Sequence, residues 1–573
     1  MAQSALKFAP YGIVNYQALR SDNFAYVDKT KFIAKLEDTR IFYPFIVRPR
    51  RFGKTLFTQT LQAYYDIAAA KDFERNFAGT YIGEHKTPLA NTFHVIHFDF
   101  SSIPPNKFEE GFIEKVKDGL TDFCLLYGFS EGLKIIAEQF DDSTILFSAF
   151  LRAYKAQFEE GIYLIIDEYD QGANEVLDSS LPSFQKLTQS GGLLQTFYSK
   201  IKEAAAKGPV ARVFITGVTT IQLDSMTSGF STAENLTTNP AFATMFGFTQ
   251  AELRNLIPQI VNLQKCGKTL DEVFNRMKEW YNGYCFNAKR NETVFNASMC
   301  LNYLKHLSLF GEEPDDLLDP SVANSLDKIE AILSLGDASL VREIVDRALN
   351  HEPIDFAGKL QVLNLNKSNG LDREALLSAL FYMGFLTFAP NDWERLTVPN
   401  RAIGIQFFEY YFKNVLETTR YTFKSEEFSA AYKALADGDP KPWLDLADKR
   451  LTETSGIRLA THANETTFQA ILSSTLWASP EYCGKLELES RGENSGFIDL
   501  LLTPRNDASL PSYVIELKHL KTDATDEAVQ KALGGAKEQV KRYARGEAVK
   551  DIPNVKRLAV VYKGLRLAAC EMT

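Results

Sequence analysis

The chain reads as an α/β protein, and three observations carry that reading. An apolar run from Ile41 to Val47 leads through Pro49 into Gly53-Lys54-Thr55, which opens a segment with helical spacing at Leu56, Leu61, Tyr64 and Tyr65. A second apolar run, Ile162 to Ile166, ends in Asp167-Glu168-Tyr169-Asp170, and another, Val210 to Thr216, follows. Far downstream, Phe497 to Leu502 and Tyr513 to Lys518 read as two strands, each holding an acid. β-Branched and aromatic residues in short runs mark buried strands. Their alternation with helical spacing predicts a parallel sheet covered by helices, with ligands at the carboxyl ends of the strands.

At 573 residues, with 45% hydrophobic and 24% charged residues, the chain has ordinary globular composition and is too long for one core. No apolar run approaches the roughly 20 residues of a membrane span. The start, M-A-Q-S-A-L-K-F-A-P, lacks the long apolar region of a secretory signal. Six cysteines lie scattered at 124, 266, 285, 300, 483 and 570 without a C-x-x-C, which argues for reduced thiols, against a zinc site and for a cytoplasmic location. A net charge of −10 argues against the whole molecule coating nucleic acid, because phosphate affinity comes from Lys and Arg, but leaves room for a local basic groove.

Taken in order, residues 1–40 read as an entry segment and helix, with Tyr11-Gly12 and Tyr26 as either core or lining for a nucleotide base. Residues 41–66 have the strand, tight loop, G-K-T and helix order of a P-loop. Backbone N–H groups at the helix start would cradle phosphates, Lys54 would reach the β/γ-phosphates and the Thr55 hydroxyl would hold Mg²⁺. One position departs from G-x-x-x-x-G-K-[ST]: the usual first glycine is Arg48. Arg48, Arg50 and Arg51 offer guanidinium forks that suit phosphate oxygens, or form a solvated basic turn.

His94 to Phe100 reads as a strand, in which His94 and His97 are packing or capping residues. Helical spacing follows at 112–129 and 145–158. At the end of the 162–166 strand an acid can hold the water shell of Mg²⁺ and a following Glu can act as base on the attacking water, so Asp167 is the metal residue and Glu168 the general base, with Asp170 as a substitute. Alone, such an acidic strand end is also a common helix N-cap. Its place about a hundred residues after G-K-T, with strand 210–216 following, favours nucleotide binding.

The ordered blocks Tyr26-Val27-Asp28-Lys29-Thr30, R-P-R-R-F-G-K-T, I-I-D-E-Y-D and Phe214-Ile215-Thr216-Gly217-Val218 resemble the bacterial AAA-ATPase-like proteins. The likeness extends through Asn235-Leu236-Thr237, Phe246-Gly247-Phe248-Thr249 and Trp280-Tyr281-Asn282-Gly283-Tyr284, covering roughly the first half of the chain. The resemblance implies ATP as ligand, makes the arginine at position 48 usual, and places Thr216 as a γ-phosphate sensor. Proteins of this kind typically carry a C-terminal PD-(D/E)XK nuclease-like domain. AAA-type ATPases often form rings with an arginine supplied by a neighbour, and Arg212 and Arg254 are worth testing in that role within a homo-oligomer.

From 251 to 445 the spacing is helical at 253–263, 270–281, 326–333, 340–349 and 371–383. A small hairpin is expected across Pro390-Asn391-Asp392. The pattern suggests a helical lid or connector with a winged-helix-like piece, following an ATPase domain over 1–250 and preceding a third domain over 446–573.

In that last part, strand alternation puts Glu516 and Lys518 on one face, and pairing of the two strands adds Asp499. Acids inside apolar strands are costly unless paired or metal-bound, which is the main physical argument for a site. Two carboxylates and a lysine would converge where Mg²⁺, or Mn²⁺, sits beside a phosphodiester. E-L-K is otherwise a plain Glu–Lys pair on a sheet surface. The arrangement resembles the PD-(D/E)XK nucleases, with Asp499, Glu516 and Lys518 at the signature positions. The resemblance also implies Glu465 as a further metal ligand, and Gln539 with Tyr543 as the Q-x-x-x-Y helix of RecB-type nucleases. A basic run at Lys537, Lys541, Arg542, Arg545 and Lys550 could meet a DNA backbone. The expectation is an ATPase joined to a metal-dependent nuclease, with ATP gating cleavage of nucleic acid, by resemblance in defence against foreign or mobile DNA. The alternative is a signalling or scaffold NTPase whose last domain binds without cutting.

Overall fold

The computed structural model describes residues 6–138, 142–171, 191–220, 230–287, 292–314, 326–349, 352–361, 371–404, 425–454, 481–490, 496–504, 509–546 and 549–573, with isolated positions between them that include Glu465, Phe468, Gln469, Leu472 and Leu476. It divides into two compact units, Met1–Tyr410 and Tyr411–Thr573.

The first unit is built on a parallel sheet in the order β2-β3-β4-β1-β5, with β1 Pro44–Val47, β2 His94–Asp99, β3 Ile162–Asp167, β4 Val210–Gly217 and β5 Glu234–Asn235. Every residue of β1 and β3 is buried, as the unbroken apolar runs require of strands covered on both faces. The order sets β1 beside β4 and β4 beside β3, so the chain leaves β1 and β3 at the same sheet end, one strand apart. Helices Lys54–Tyr65, Phe108–Tyr127, Ser143–Gln157 and Leu193–Lys207 supply the covering layers. His94 and His97 are packing residues, bonded to the Tyr154 hydroxyl at 2.8 Å and to Gln62 Oε1 at 3.2 Å.

The helices Gln250–Ile260, Leu270–Tyr281 and Ala297–Phe310 form a second core that includes Ala25 and Phe248. Full capping boxes at Thr249/Glu252 and Thr269/Glu272 start the first two of them. The expected hairpin is present as β7 Thr387–Ala389 and β8 Asp392–Thr397, turning at Asn391 with φ 57°, and joined by β6 Ile354–Asp355. Helix Arg373–Met383 leads into it.

The second unit is a mixed sheet in the order β13-β12-β11-β10-β9: β9 Tyr482–Ser490, β10 Gly496–Pro504, β11 Ser512–Leu520, β12 Val555–Lys563 and β13 Arg566–Met572. Helix Asp526–Tyr543 is the crossover between the parallel strands β11 and β12. On one face, Leu435, Trp443, Leu444, Ala447, Phe468 and Leu472 pack against Leu500, Leu502, Ile515, Leu517, Val560 and Tyr562. A boundary at 445/446 would cut helix Lys441–Thr454 in two. The structure places this helix and Ser425–Ala436 with the last sheet, because their apolar side chains have their core there. Among the described residues no helix is long and apolar enough to cross a membrane.

Trp443 is fully buried in this core. Trp443→Ala is expected to destabilise the second unit by about 3–5 kcal/mol, read as a shift in its unfolding midpoint in urea.

Candidate functional site

The loop from Arg48 to Gly53 joins β1 to helix Lys54–Tyr65, and Gly53 sits at φ 92°, a conformation that only glycine adopts without cost. Its neighbour Arg51 sits at φ 74° and keeps a full side chain there. Lys54 is 4% exposed, and its ammonium donates to the carbonyls of Arg48 at 3.2 Å and Pro49 at 3.3 Å and pairs with Glu168 Oε1 at 3.5 Å. The Glu168 N–H donates to Asp167 Oδ1 at 2.9 Å, and the Thr58 hydroxyl donates to Asp167 Oδ2 at 3.2 Å. Burial, then the adjacent Glu168, push Asp167 up to about 6, against the pull of Lys54 and Thr55. Glu168 sits at φ 48°, and its Oε2 is buried without a hydrogen-bond partner.

Beside them lies a cavity of about 330 Å³, whose polar lining includes Lys29, Arg50, Arg51, Lys54, Thr55 and Glu168. Gly12, Tyr26, Val27, Phe248, Leu256 and Leu301 are among its other lining residues. Of the expected base-lining pair, Gly12 and Tyr26 face the cavity, whereas the Tyr11 ring lies under the Lys305 ammonium.

Three expected side chains are bonded within the fold. Arg48 is not a phosphate ligand: its side chain is 0% exposed, and its guanidinium donates to the carbonyls of Val47 and Thr237, each at 2.8 Å, and Phe242 at 3.2 Å. It lies 4.0 Å from the centre of the Phe286 ring, and burial lowers its pKa to about 9. Thr216, expected to face phosphate, has its buried hydroxyl donating to the Ile46 carbonyl at 2.8 Å, which ties β4 to β1. Asp170 is no substitute base, because its carboxylate accepts from the N–H groups of Val218 and Thr219 and from the Thr219 hydroxyl. Arg212 and Arg254, weighed as arginines for a neighbouring copy, lie over the rings of Phe42 and Phe274 in their own unit, and Arg254 also pairs with Asp271 at 2.7 Å.

In the second unit, Asp499 lies one step beyond the paired residues Leu500 and Ile515, where β10 meets β11. Its carboxylate accepts from the Leu517 N–H at 2.7 Å and the Gln469 side chain at 2.8 Å. Lys518 donates to Glu516 Oε1 at 2.9 Å and lies 3.9 Å from Glu465 Oε2. Glu465 Oε1 in turn accepts from the His519 N–H at 3.4 Å. Thus Glu465, Asp499, Glu516 and Lys518 gather at the β10–β11 junction.

Burial raises Asp499 to about 6, and burial with the Asp499 charge raises Glu516 to about 7. Burial would lower the Lys518 ammonium, but Glu516 and Glu465 outweigh it and raise the pKa, so the group stays charged. Glu516 Oε2 is buried without a hydrogen-bond partner, an oxygen left for a cation or a donor from outside the chain. Among the described residues no cluster of three or more His, Cys, Asp or Glu side chains is already arranged as a metal site. Glu516 instead spends one oxygen on Lys518.

Gln539 is half-buried and Tyr543 buried on the crossover helix Asp526–Tyr543. Tyr543 packs in an apolar cluster with Ile498, Val514 and Val540, and its hydroxyl accepts from Arg542 at 2.8 Å. In the basic run, Lys537 pairs with Glu571 and Lys541 with Glu538, while Arg545 and Lys550 are exposed.

Two contributors escape a motif reading. Thr58 lies one turn beyond Thr55, and Gln469 lies four residues beyond Glu465, a spacing that shares one helix face.

A buried parallel sheet with a phosphate-type loop after β1 and an acidic pair after β3 defines a P-loop NTPase core; a mixed sheet with acids and a lysine on adjacent strands defines a nuclease-like one. Residues 10–227 match the family model described as "Predicted AAA-ATPase", and residues 463–572 match the model described as "PD-(D/E)XK nuclease superfamily". The chain therefore joins an AAA-ATPase-like domain to a C-terminal domain of the PD-(D/E)XK nuclease superfamily. It is also 27% identical over 297 residues to an "Uncharacterized protein in vnfD 5'region" of Azotobacter chroococcum mcd 1, covering 51% of this chain and 50% of that protein. The chain thus spans about half the length of the curated relative it matches.

Two predictions follow from these geometries. Arg48→Ala strips charged donors from buried carbonyls and should destabilise the first unit by about 3 kcal/mol or more, seen in its melting midpoint; a phosphate ligand would instead change nucleotide affinity and leave stability alone. Asp499 and Glu516 carry folded pKa values above their unfolded ones, so the folded state binds more protons than the unfolded state between about pH 4 and pH 7. In EDTA the second unit should therefore lose stability as pH rises through that window, and Glu516→Gln should flatten the curve.

Proposed function

We propose that the chain binds and hydrolyses ATP in its first unit and cleaves nucleic acid in its second, with ATP gating the cleavage. The observation that carries the ATPase half is the convergence of Lys54, Thr55, Asp167 and Glu168 at one end of the parallel sheet. Lys54 holds the β/γ-phosphates, and its present carbonyl and Glu168 contacts are ones a phosphate can replace. Thr55 and Asp167 would hold Mg²⁺, which supplies charge shielding on the phosphates. Glu168 takes a proton from water as the water oxygen bonds to the γ-phosphorus. The bond to the bridging oxygen breaks, and ADP leaves with that electron pair.

In the second unit, Asp499 and Glu516 would hold Mg²⁺ or Mn²⁺ with Glu465 beside them. The partnerless Glu516 oxygen and the all-oxygen donor set fit a hard cation. The metal would supply a polarised water and charge on the phosphodiester. Lys518, held as an ammonium, neutralises charge gathering on the phosphoryl oxygens as water adds to phosphorus and a sugar oxygen leaves with the bonding pair. DNA is the target we favour, with defence against mobile or foreign DNA as the setting. The second reading, a domain that binds without cutting, draws on the same Lys518–Glu516 pair, which closes one carboxylate oxygen to a metal.

Purified protein should cut linear or plasmid DNA with Mg²⁺ or Mn²⁺. Lys518→Ala should lower the rate at least 100-fold, by about the weight of one charge-stabilising group. Lys54→Ala should abolish ATP binding and any response of cleavage to ATP. Wild-type and Lys518→Ala proteins equally inert with every metal and nucleotide would favour the binding module.

A further inference from the structure

Four cationic residues line the cavity of the first unit: Lys29, Arg50, Arg51 and Lys54. Two of them are committed. Lys29 donates to both oxygens of Glu252, at 2.9 and 2.7 Å, and to the Thr244 carbonyl at 2.9 Å. Lys54 is held by two loop carbonyls and Glu168. Arg50 and Arg51 are exposed, and neither guanidinium has an ion pair or hydrogen bond to any described residue. They are the uncommitted positive charge in this cavity among the described residues.

Arg51 differs from Arg50 in its backbone. It holds φ 74°, a left-handed conformation in which a side chain costs on the order of 1 kcal/mol relative to glycine. The conformation is enforced from both sides: the Arg51 carbonyl accepts from the Ser298 N–H at 3.2 Å, and the next residue, Phe52, is buried edge-on to the rings of Tyr284 and Phe286. Glu168, the proposed base, is the other strained residue lining the same cavity, at φ 48°. A left-handed arginine and a left-handed glutamate thus sit on the lining of one cavity.

We propose that Arg51 is a catalytic residue, an arginine finger supplied in cis. Its guanidinium binds the γ-phosphoryl oxygens as charge spreads over them in the transition state, so hydrolysis needs no arginine from a neighbouring copy. The inference rests on the ATPase reading above and adds the group that stabilises the transition state. The commitments of Arg212 and Arg254 to partners in their own unit point the same way. Bond making and breaking are unchanged: water adds to the γ-phosphorus, its proton passes to Glu168, and ADP leaves.

The test measures ATP binding and steady-state hydrolysis for the full chain, Arg51→Gly, Arg51→Lys and an equimolar mixture of Arg51→Gly with Lys54→Ala. Glycine accepts the left-handed backbone, so Arg51→Gly should melt within about 3 °C of wild type. It should also bind ATP normally and lose at least about 100-fold in kcat with KM little changed. Arg51→Lys keeps the charge without the fork and should fall in between. The mixture should show no recovery, and wild-type specific activity should not rise with protein concentration. Hydrolysis retained in Arg51→Gly, or recovered on mixing through an arginine donated across subunits, overturns the proposal while leaving the ATPase reading intact. Wild-type protein that neither binds nor hydrolyses ATP overturns both.

Discussion

The guanidinium of Arg48 is the contact on which the first unit's site depends. It fills the place where a P-loop normally has a small residue, and it points inward rather than toward phosphate. By donating to the carbonyls of Val47, Thr237 and Phe242 it joins the end of β1 to the segment after β5. The Val47 N–H reinforces the join by donating to the Thr237 hydroxyl at 3.2 Å. The loop is thus tied down at its base, which lets Gly53 and Arg51 hold left-handed conformations above it.

The same loop is gripped from the helical region that follows. The Phe52 carbonyl accepts from the Gly247 N–H at 3.0 Å, and the φ of 77° at Gly247 lets the chain pass where a side chain would meet Phe295 and Phe52. Its ring stands edge-on to Tyr284 and Phe286. Cys285, between those two aromatics, exchanges hydrogen bonds with Thr387 of β7. The blocks around 236, 247 and 283, remote from the loop in sequence, are therefore its packing partners. This gives the first unit a continuous set of contacts from the phosphate-type loop to the small three-stranded sheet.

The second unit solves a different electrostatic problem. Asp499 and Glu516, buried side by side at the sheet junction, are poorly solvated and repel one another, so both carboxyls are pushed above the usual range. Gln469 and the Leu517 N–H stabilise Asp499, and Lys518 bridges Glu516 and Glu465. The cluster keeps a reserve of oxygen ligands that an external cation would complete.

Much of this was legible in the residues themselves. Apolar runs placed β1, β2, β3, β4, β10 and β11, because strands covered on both faces must be apolar throughout. The G-K-T loop and the acids after β3 and within β10 and β11 stood out for the opposite reason, as charge where burial makes charge expensive. What local pattern did not contain was direction and partner. Arg48, Arg50 and Arg51 are indistinguishable as letters, and only the fold turns the first into the core and leaves the other two at the cavity. Thr216 and Asp170 sit in motif positions, yet the strand order gives their polar atoms to neighbouring backbone. Gln539 and Tyr543 share a helix face, and the packing of that helix on the sheet takes Tyr543 into an apolar cluster with Ile498 and Val514. Helices Ser425–Ala436 and Lys441–Thr454 look like the end of a helical stretch until their apolar side chains find the last sheet. Sequence determined which residues are costly to bury and where strands and loops fall; tertiary packing decided which of those costs are met by the chain's own groups and which remain open to a ligand.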